Sequence, residues 1–166
     1  MDFLAIALAA LAGISERRID RLVNPALNEE LPPFLAADPG LESGLMMAQV
    51  TAAALVGDNR VLAHPATPGS ITTSGNKEDF VSMGMTAALK LKCVVRNTRA
   101  VLAIEALAAA RALDLLSPLR TSPALEAARE RIRAVSPAIA ADRPLHRDIA
   151  ALEALIASGA LASLPV

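Results

Sequence analysis

The sequence contains 166 residues, a length that fits one domain with its own core. Sixteen basic and seventeen acidic side chains leave a net charge of −1, so no overall field favours nucleic acid or an anionic membrane surface as a partner. Apolar residues make up 54% and aromatic residues 2%, which predicts a core of alanine, leucine and valine between closely packed helices. The mean hydropathy of +0.43 predicts that apolar surface meets another chain in a homo- or hetero-oligomer.

Cysteine and histidine usage gives no support for a metal site. Cys93 is the only cysteine, which excludes an intramolecular disulfide and a cysteine cluster and favours a reducing, cytoplasmic setting. His64 and His146 lack partners at metal-ligand spacing, so each is interpreted as a loop histidine. The apolar run over residues 3–14 follows Asp2 rather than basic residues and is too short to span a bilayer, so it predicts a buried helix.

Apolar spacing and helix breakers predict an all-α fold. No internal repeat or strand pattern is found, and a bundle of long helices in one unit over residues 1–166 is expected. The predicted helices cover about residues 2–23, 42–62, 78–116, 123–135 and 144–158. The third would exceed roughly 50 Å, beyond the ~30 Å width of a small domain, which predicts neighbours from other subunits or from a missing portion of protein.

Four helix ends carry specific predictions. Ser43 is expected to cap the second helix, and Pro123 and Pro144 suit first-turn positions of the last two. The third helix is preceded by "TTSGNKEDFVSMGM" over residues 72–85. Asn76 is predicted as its N-cap.

Two adjacent carboxylates follow Asn76. With that cap, Asp79 falls at the third helical position and can complete a variant of the capping box, while both acids complement the helix dipole. Local spacing alone favours this structural role for Glu78 and Asp79. A helix amino terminus keeps a carboxylate ionised, so a functional role would be that of a charged ligand-binding group rather than a proton donor.

A longer stretch carries a family resemblance. Residues 40–91 contain "ESGLMMAQVTAAAL", "LAHPA" and "TSGNKEDFVSM", and this stretch resembles the aromatic amino acid lyase family. The flanking "ISERRIDRLVNPAL", "LPPFL", "NTRAVLAIEALAAARALDL" and "TSPALEAARERIR" are similar to the family too. The resemblance covers almost the whole chain and matches the carboxy-terminal third of the family sequence.

The resemblance implies a fold, a reaction and site residues. Family members are tetramers of long helices that eliminate ammonia from an aromatic amino acid, using a methylidene-imidazolone group formed from an internal Ala-Ser-Gly and a tyrosine base. Glu78 matches the catalytic glutamate beside the substrate, which is typical of members acting on histidine. Asn76 matches an asparagine of the same motif, and Lys77 replaces its usual glutamine, so both are predicted to bind substrate. Phe80 replaces a histidine that is usual in the members acting on histidine.

The resemblance also implies what must come from elsewhere. The sequence contains no tyrosine, and its Ala157-Ser158-Gly159 is followed by "ALASLPV", unlike the family tripeptide, so it is interpreted as a helix C-cap. No cofactor-binding residue or metal ligand is predicted in this chain. We expect the carboxy-terminal portion of an ammonia-lyase for histidine or a related aromatic amino acid, with the prosthetic group supplied by an amino-terminal half or a full-length relative. The alternative is a catalytically silent helical assembly or regulatory protein.

Overall fold

The computed structural model describes residues 1–162, and the elements in this range are helical. The helices are α1 Asp2–Val23, α2 Met46–Leu62, α3 Gly84–Leu115, α4 Pro123–Val135 and α5 His146–Ala157. No strand occurs in the described range, where two isolated bridges join Pro39 to Glu42 and Thr73 to Glu78. The predicted all-α fold class is confirmed. None of the helices in residues 1–162 is long and apolar enough to cross a membrane.

The helix α3 is the central element, because α1, α2 and α5 all pack against it. Its 32 residues extend about 48 Å at 1.5 Å per residue. Glu105 of α3 contacts Ser15 of α1, whereas Thr98 lies opposite Leu8. Since both positions increase together, α1 runs parallel to α3. Gln49 of α2 donates to Glu16, and the later Asn59 reaches Thr98, so α2 runs antiparallel to both.

Small side chains dominate the core, as the composition predicts. Alanine is the most frequent residue among the buried apolar positions of the described chain. Ala12, Ala52, Ala103 and Ala108 are fully inaccessible to solvent. An alanine fills little space between helices, so their backbones approach closely and the larger Ile104 and Leu107 occupy the intervening volume.

A buried polar layer crosses the bundle near the middle of α3. Asn59 Nδ2 donates to Thr98 Oγ1 over 3.3 Å, and Thr98 Oγ1 donates to the carbonyl oxygen of Leu8 over 3.5 Å. The main core lies on one side of this layer. A smaller group, which we call the loop-side cluster, lies on the other and consists of Ala5, Leu91 and Val94.

The start of α2 differs from its prediction. The helix begins at Met46, its N-cap is Leu45, and no side chain bonds to the cap. Ser43 is therefore not the cap. The backbone N–H groups of Ser43 and Gly44 instead donate to the carboxylate of Asp142 over 2.7 and 2.9 Å. Gly44 has φ +55, a left-handed conformation that interrupts a helix.

The last two helices give one confirmed and two wrong predictions. Pro123 lies in the first turn of α4, as predicted, after an N-cap serine whose hydroxyl accepts from the Leu125 N–H. Pro144 precedes the first residue of α5 and is not in its first turn. That first residue is His146, so the interpretation of His146 as a loop histidine is wrong.

Candidate functional site

The connection between α2 and α3, residues 63–83, carries the predicted site residues, and we call it the Glu78 loop. The predicted helix start within it is wrong, because α3 begins at Gly84 with Met83 as its N-cap. Asn76 has φ +68, whereas an N-cap residue takes an extended conformation. Asp79 lies before the helix and cannot complete a capping box. A role at the start of a helix therefore does not explain the presence of either Glu78 or Asp79.

Glu78 is held by Thr73 rather than by a helix. The Thr73 N–H donates to the Glu78 carbonyl oxygen over 2.9 Å, and the Glu78 N–H donates back over 3.4 Å. The Thr73 hydroxyl also donates to Glu78 Oε2 over 3.0 Å. Backbone and side chain of Glu78 are thus both bonded to the same residue.

Three consecutive left-handed residues turn the chain between these partners. Ser74, Gly75 and Asn76 have φ values of 54°, 63° and 68°. Left-handed backbone is costly for residues with a side chain, so a run of three persists only where surrounding bonds fix it. The two backbone bonds between Thr73 and Glu78 fix this turn.

The base of the Glu78 loop is anchored to the helices. The Asp2 carboxylate, at the first residue of α1, accepts from the N–H groups of Ala66 and Thr67 over 3.0 and 2.9 Å and from the Thr67 hydroxyl. These bonds with Thr67 hold the pKa of Asp2 below its ordinary value. Lys90 of α3 donates to the His64 carbonyl oxygen. The first residues of the Glu78 loop are therefore fixed to α1 and α3.

A further bond closes the loop on itself. Ser70 Oγ accepts from the Val81 N–H over 2.8 Å. The two chain segments that flank the turn bearing Glu78 are thus joined to each other.

The predicted site residues Asn76, Lys77 and Glu78 are adjacent and all exposed. No ion pair joins Lys77 to Glu78 within the described part of the chain. Phe80 is 79% exposed. Since Glu78 Oε2 is bonded to Thr73, its other carboxylate oxygen is open to solvent and able to accept a charge-assisted hydrogen bond from a ligand.

The carboxylate of Glu16 is occupied by structural contacts. Glu16 is buried and accepts from Arg17 over 2.7 Å and from Gln49 over 2.8 Å. Burial raises the pKa of Glu16, but the bonds from Arg17 and Gln49 outweigh it and hold the pKa below its ordinary value. Across residues 1–162, no group of three histidine, cysteine, aspartate or glutamate side chains is arranged to hold a metal ion.

The Ala-Ser-Gly tripeptide lies at the end of α5. Ser158 is the C-cap of this helix, and Gly159 follows with φ +75, so the predicted C-cap is confirmed. The Ser158 hydroxyl donates to the Leu155 carbonyl oxygen over 2.7 Å, and the tripeptide is exposed. An exposed helix end with its serine already bonded does not fit the precursor of a methylidene-imidazolone group.

Sequence reasoning missed the residues that shape the loop. Asp2 and its partner Thr67 are 65 positions apart, and Lys90 and His64 are 26 positions apart, so no local pattern marks either contact. Thr73 is nearer to its partner, but only the left-handed turn brings it beside Glu78. Gly75 and Asn76 are residue types that tolerate a left-handed backbone, but the sequence does not mark a run of three such residues.

Comparisons with known proteins agree on one family. Residues 1–134 match the family described as aromatic amino acid lyase. Histidine ammonia-lyase of Koribacter versatilis (strain Ellin345) is 69% identical over 163 residues, which make up 98% of this chain and 32% of that protein. Histidine ammonia-lyase of Anaeromyxobacter sp. (strain K) is 55% identical over 161 residues, covering 97% of this chain and 32% of that protein.

Solved structures give the same result. Histidine ammonia-lyase from Trypanosoma cruzi superposes with a TM-score of 0.93 at 48% identity, over 96% of this chain and 31% of that chain. Tyrosine aminomutase from Streptomyces globisporus superposes with a TM-score of 0.94 at 39% identity, over 98% and 31%. The chain spans about a third of the length of the curated relatives it matches. It belongs to the aromatic amino acid lyase family.

Proposed function

We propose that this chain is the carboxy-terminal part of a histidine ammonia-lyase, an enzyme that eliminates ammonia from histidine to give urocanate. The observation that carries the proposal is the 69% identity to a histidine ammonia-lyase over 98% of the chain. Identity at this level over the whole matched length includes the Glu78 loop and the helices that anchor it. Related aromatic amino acids are the alternative substrates.

Glu78 is the proposed contact to the substrate side chain. Its exposed carboxylate has one oxygen bonded to Thr73 and one oxygen open. The open oxygen can accept a hydrogen bond from a ring N–H of histidine, a donor that the phenyl ring of phenylalanine lacks. Asn76 and Lys77 lie beside Glu78 on the same exposed turn and are proposed to contact the remainder of the substrate.

The rest of the site is proposed to come from an amino-terminal lyase part or a full-length relative. The methylidene-imidazolone group of the family would supply an electrophile that activates the substrate for loss of ammonia. The tripeptide of this chain does not fit its formation, and the sequence has no tyrosine to act as the family's base. Glu78 would therefore form one wall of a site shared between chains.

Exposed apolar side chains support a partner surface. Phe3 is 90% exposed, Val61 76% and Met85 74%, and side chains of this kind favour burial against another chain. Cys93 is a free thiol, in keeping with the reducing, cytoplasmic setting that we include in the proposal.

A catalytically silent helical assembly protein is the rival function. In that case Glu78 would be an exposed residue without a substrate, and the apolar surface would bind full-length relatives without contributing to their sites. Reconstitution separates the two functions. This chain would be co-expressed with the amino-terminal two-thirds of the Koribacter versatilis histidine ammonia-lyase, and urocanate formation from histidine followed by absorbance, with each part alone as a control.

Activity of the pair, and of neither part alone, would support the split enzyme. A stable complex that eliminates ammonia from none of histidine, phenylalanine and tyrosine would refute it and favour the silent assembly protein.

The site assignment is tested by Glu78→Gln, which keeps the shape of the side chain and removes its charge. Loss of a hydrogen bond to a charged group costs about 1.5–3 kcal/mol, so kcat/KM of the reconstituted lyase should fall by roughly 10- to 150-fold. The matched control is Asp79→Asn, which removes the neighbouring charge and should change kcat/KM by less than about twofold. Equal effects of the two substitutions would argue against a specific role for Glu78. Circular dichroism should show the same helix content in both variants, since neither residue lies in a helix.

A further inference from the structure

A carboxylate on an exposed turn samples many orientations unless another group fixes it. Glu78 has a side chain with three rotatable bonds, and holding it in one geometry costs conformational entropy. If that cost falls at the moment of substrate binding, affinity is lost. The structure contains a group that fixes the carboxylate beforehand, and this is the Thr73 hydroxyl, 3.0 Å from Glu78 Oε2.

The Thr73 hydroxyl is the only hydrogen-bond partner of the Glu78 side chain in the described part of the chain. The backbone bonds between the two residues bring their side chains together. The Thr73 hydroxyl therefore has a role distinct from that of its backbone, which closes the turn whatever side chain stands there.

The contact between Thr73 and Glu78 lies in a loop that is itself attached to the helices. Asp2 fixes Thr67 near the beginning of the loop, and Ser70 bonds to Val81 near its end. Between these points the turn of residues 73–78 is closed by Thr73 and Glu78 themselves. Three sets of bonds, at Thr67, between Ser70 and Val81, and between Thr73 and Glu78, therefore restrain the loop that carries the Glu78 carboxylate.

We propose that Thr73 is a positioning residue that orients the Glu78 carboxylate for the substrate. This inference rests on the proposed function, because it takes Glu78 as the substrate contact. The Thr73 hydroxyl donates its proton to Oε2, leaving Oε1 to accept the ring N–H of histidine. Thr73 itself does not touch the substrate.

Two substitutions separate the hydroxyl from the rest of the side chain. Thr73→Val keeps the β-branched shape and both backbone bonds but removes the hydroxyl. Thr73→Ser keeps the hydroxyl and removes only a methyl group. If Thr73 positions Glu78, Thr73→Val should release the Glu78 carboxylate from its fixed orientation, whereas Thr73→Ser should leave that orientation as it is in the unsubstituted chain.

The first measurement uses this full chain alone and needs no activity. NMR three-bond couplings give the χ1 rotamer populations of Glu78, and hydrogen exchange gives the protection of the Thr73 and Glu78 amides. We expect one dominant Glu78 rotamer in the unsubstituted and Thr73→Ser chains and averaged rotamers in Thr73→Val, with amide protection retained in all three. Unchanged rotamer populations in Thr73→Val would overturn the inference.

The second measurement uses the reconstituted lyase. Since the bond between Glu78 and the substrate ring forms on binding, Thr73→Val should raise KM for histidine about three- to tenfold and leave kcat nearly unchanged. In a Glu78→Gln background the same substitution should have no further effect on KM, because Thr73 acts through the Glu78 carboxylate. Full additivity of the two substitutions would show a general structural role and overturn the inference.

The two measurements keep the failures distinguishable. If the unsubstituted pair forms a stable complex that eliminates ammonia from none of histidine, phenylalanine and tyrosine, the proposed function is rejected and the substrate role of Glu78 is rejected with it. The rotamer populations still decide whether Thr73 orients the carboxylate. If the pair is active and only the Thr73 results disagree, the proposed function stands and the positioning role is wrong.

Discussion

Substitution of Gly44 by alanine should destabilise the bundle strongly, because this glycine has both a left-handed backbone and no room for a side chain. A Cβ added at Gly44 would lie 2.5 Å from the Phe34 carbonyl oxygen and 2.9 Å from the Ala36 nitrogen. Both neighbours are backbone atoms. The Phe34 oxygen also accepts from the Leu45 N–H over 2.8 Å, so moving it away would strain the bond that precedes α2.

The magnitude follows from two separate costs. The left-handed conformation at φ +55 costs an alanine about 1–2 kcal/mol. Forcing a methyl group into a filled space costs about 1–3 kcal/mol more. The free energy of unfolding should therefore fall by about 2–5 kcal/mol in Gly44→Ala, measured for the full chain by urea denaturation.

Two other glycines provide matched controls. Gly75 has nearly the same backbone, with φ +63, but nothing lies within 4 Å of an added Cβ, so Gly75→Ala should show only the backbone cost of about 1–2 kcal/mol. Gly57 lies within α2 and also has free space around it, so Gly57→Ala should stabilise the chain by up to about 1 kcal/mol. If Gly44→Ala and Gly75→Ala lost the same free energy, the close contact with Phe34 would have no energetic consequence and the reasoning would be refuted.

Two carboxylates give the remaining predictions. Asp2→Asn should speed hydrogen exchange at the Ala66 and Thr67 amides while leaving helix content unchanged, and equal exchange rates would contradict its role as an anchor. Burial raises the pKa of Asp148, but bonds from Arg143 and a serine outweigh it and hold the pKa below its ordinary value. The stabilisation from Asp148 is therefore complete above the unfolded pKa near 4 and is lost as pH falls through the lower folded pKa. Asp148→Asn should remove this part of the acid dependence of the urea midpoint, and an identical dependence in both chains would contradict it.

The helices could be predicted where their ends depend on local chemistry. Asp2–Val23 matches its prediction because a proline follows Asn24 and disfavours a helical conformation there. Pro123–Val135 matches because a serine cap and a first-turn proline stand together at its start. In both cases the residues that decide the end lie next to it.

The helix starts that were predicted wrongly depend on distant hydrogen-bond partners or on a left-handed backbone. The start of α2 is shifted by the bonds of Ser43 and Gly44 to Asp142, almost a hundred positions away. The start of α3 is shifted because the turn before it is left-handed at Asn76. By composition, an acidic pair after an asparagine resembles the start of a helix. Only the backbone pairing of Glu78 with Thr73, seen in the folded chain, shows that no helix starts there.

The candidate site could be proposed only through the family resemblance. Local chemistry assigned both Glu78 and Asp79 to the start of a helix, with Asp79 in the capping box and both charges complementing the helix dipole. The resemblance distinguished Glu78 as a candidate substrate contact, which stays a prediction. The Thr73 hydroxyl could not be predicted, because its contact with Glu78 requires the folded turn.

The polar layer at Asn59 and Thr98 divides α3 into two parts that differ in the free energy needed for local unfolding. Beyond it, towards the Glu78 loop, the described chain buries few apolar side chains, namely the small loop-side cluster and Ala87, whereas the larger core lies on the other side. Regions with few buried apolar contacts open locally at a free energy below that of global unfolding. The first turns of α3 and the loop before them can therefore open while the remainder of the same helix stays folded.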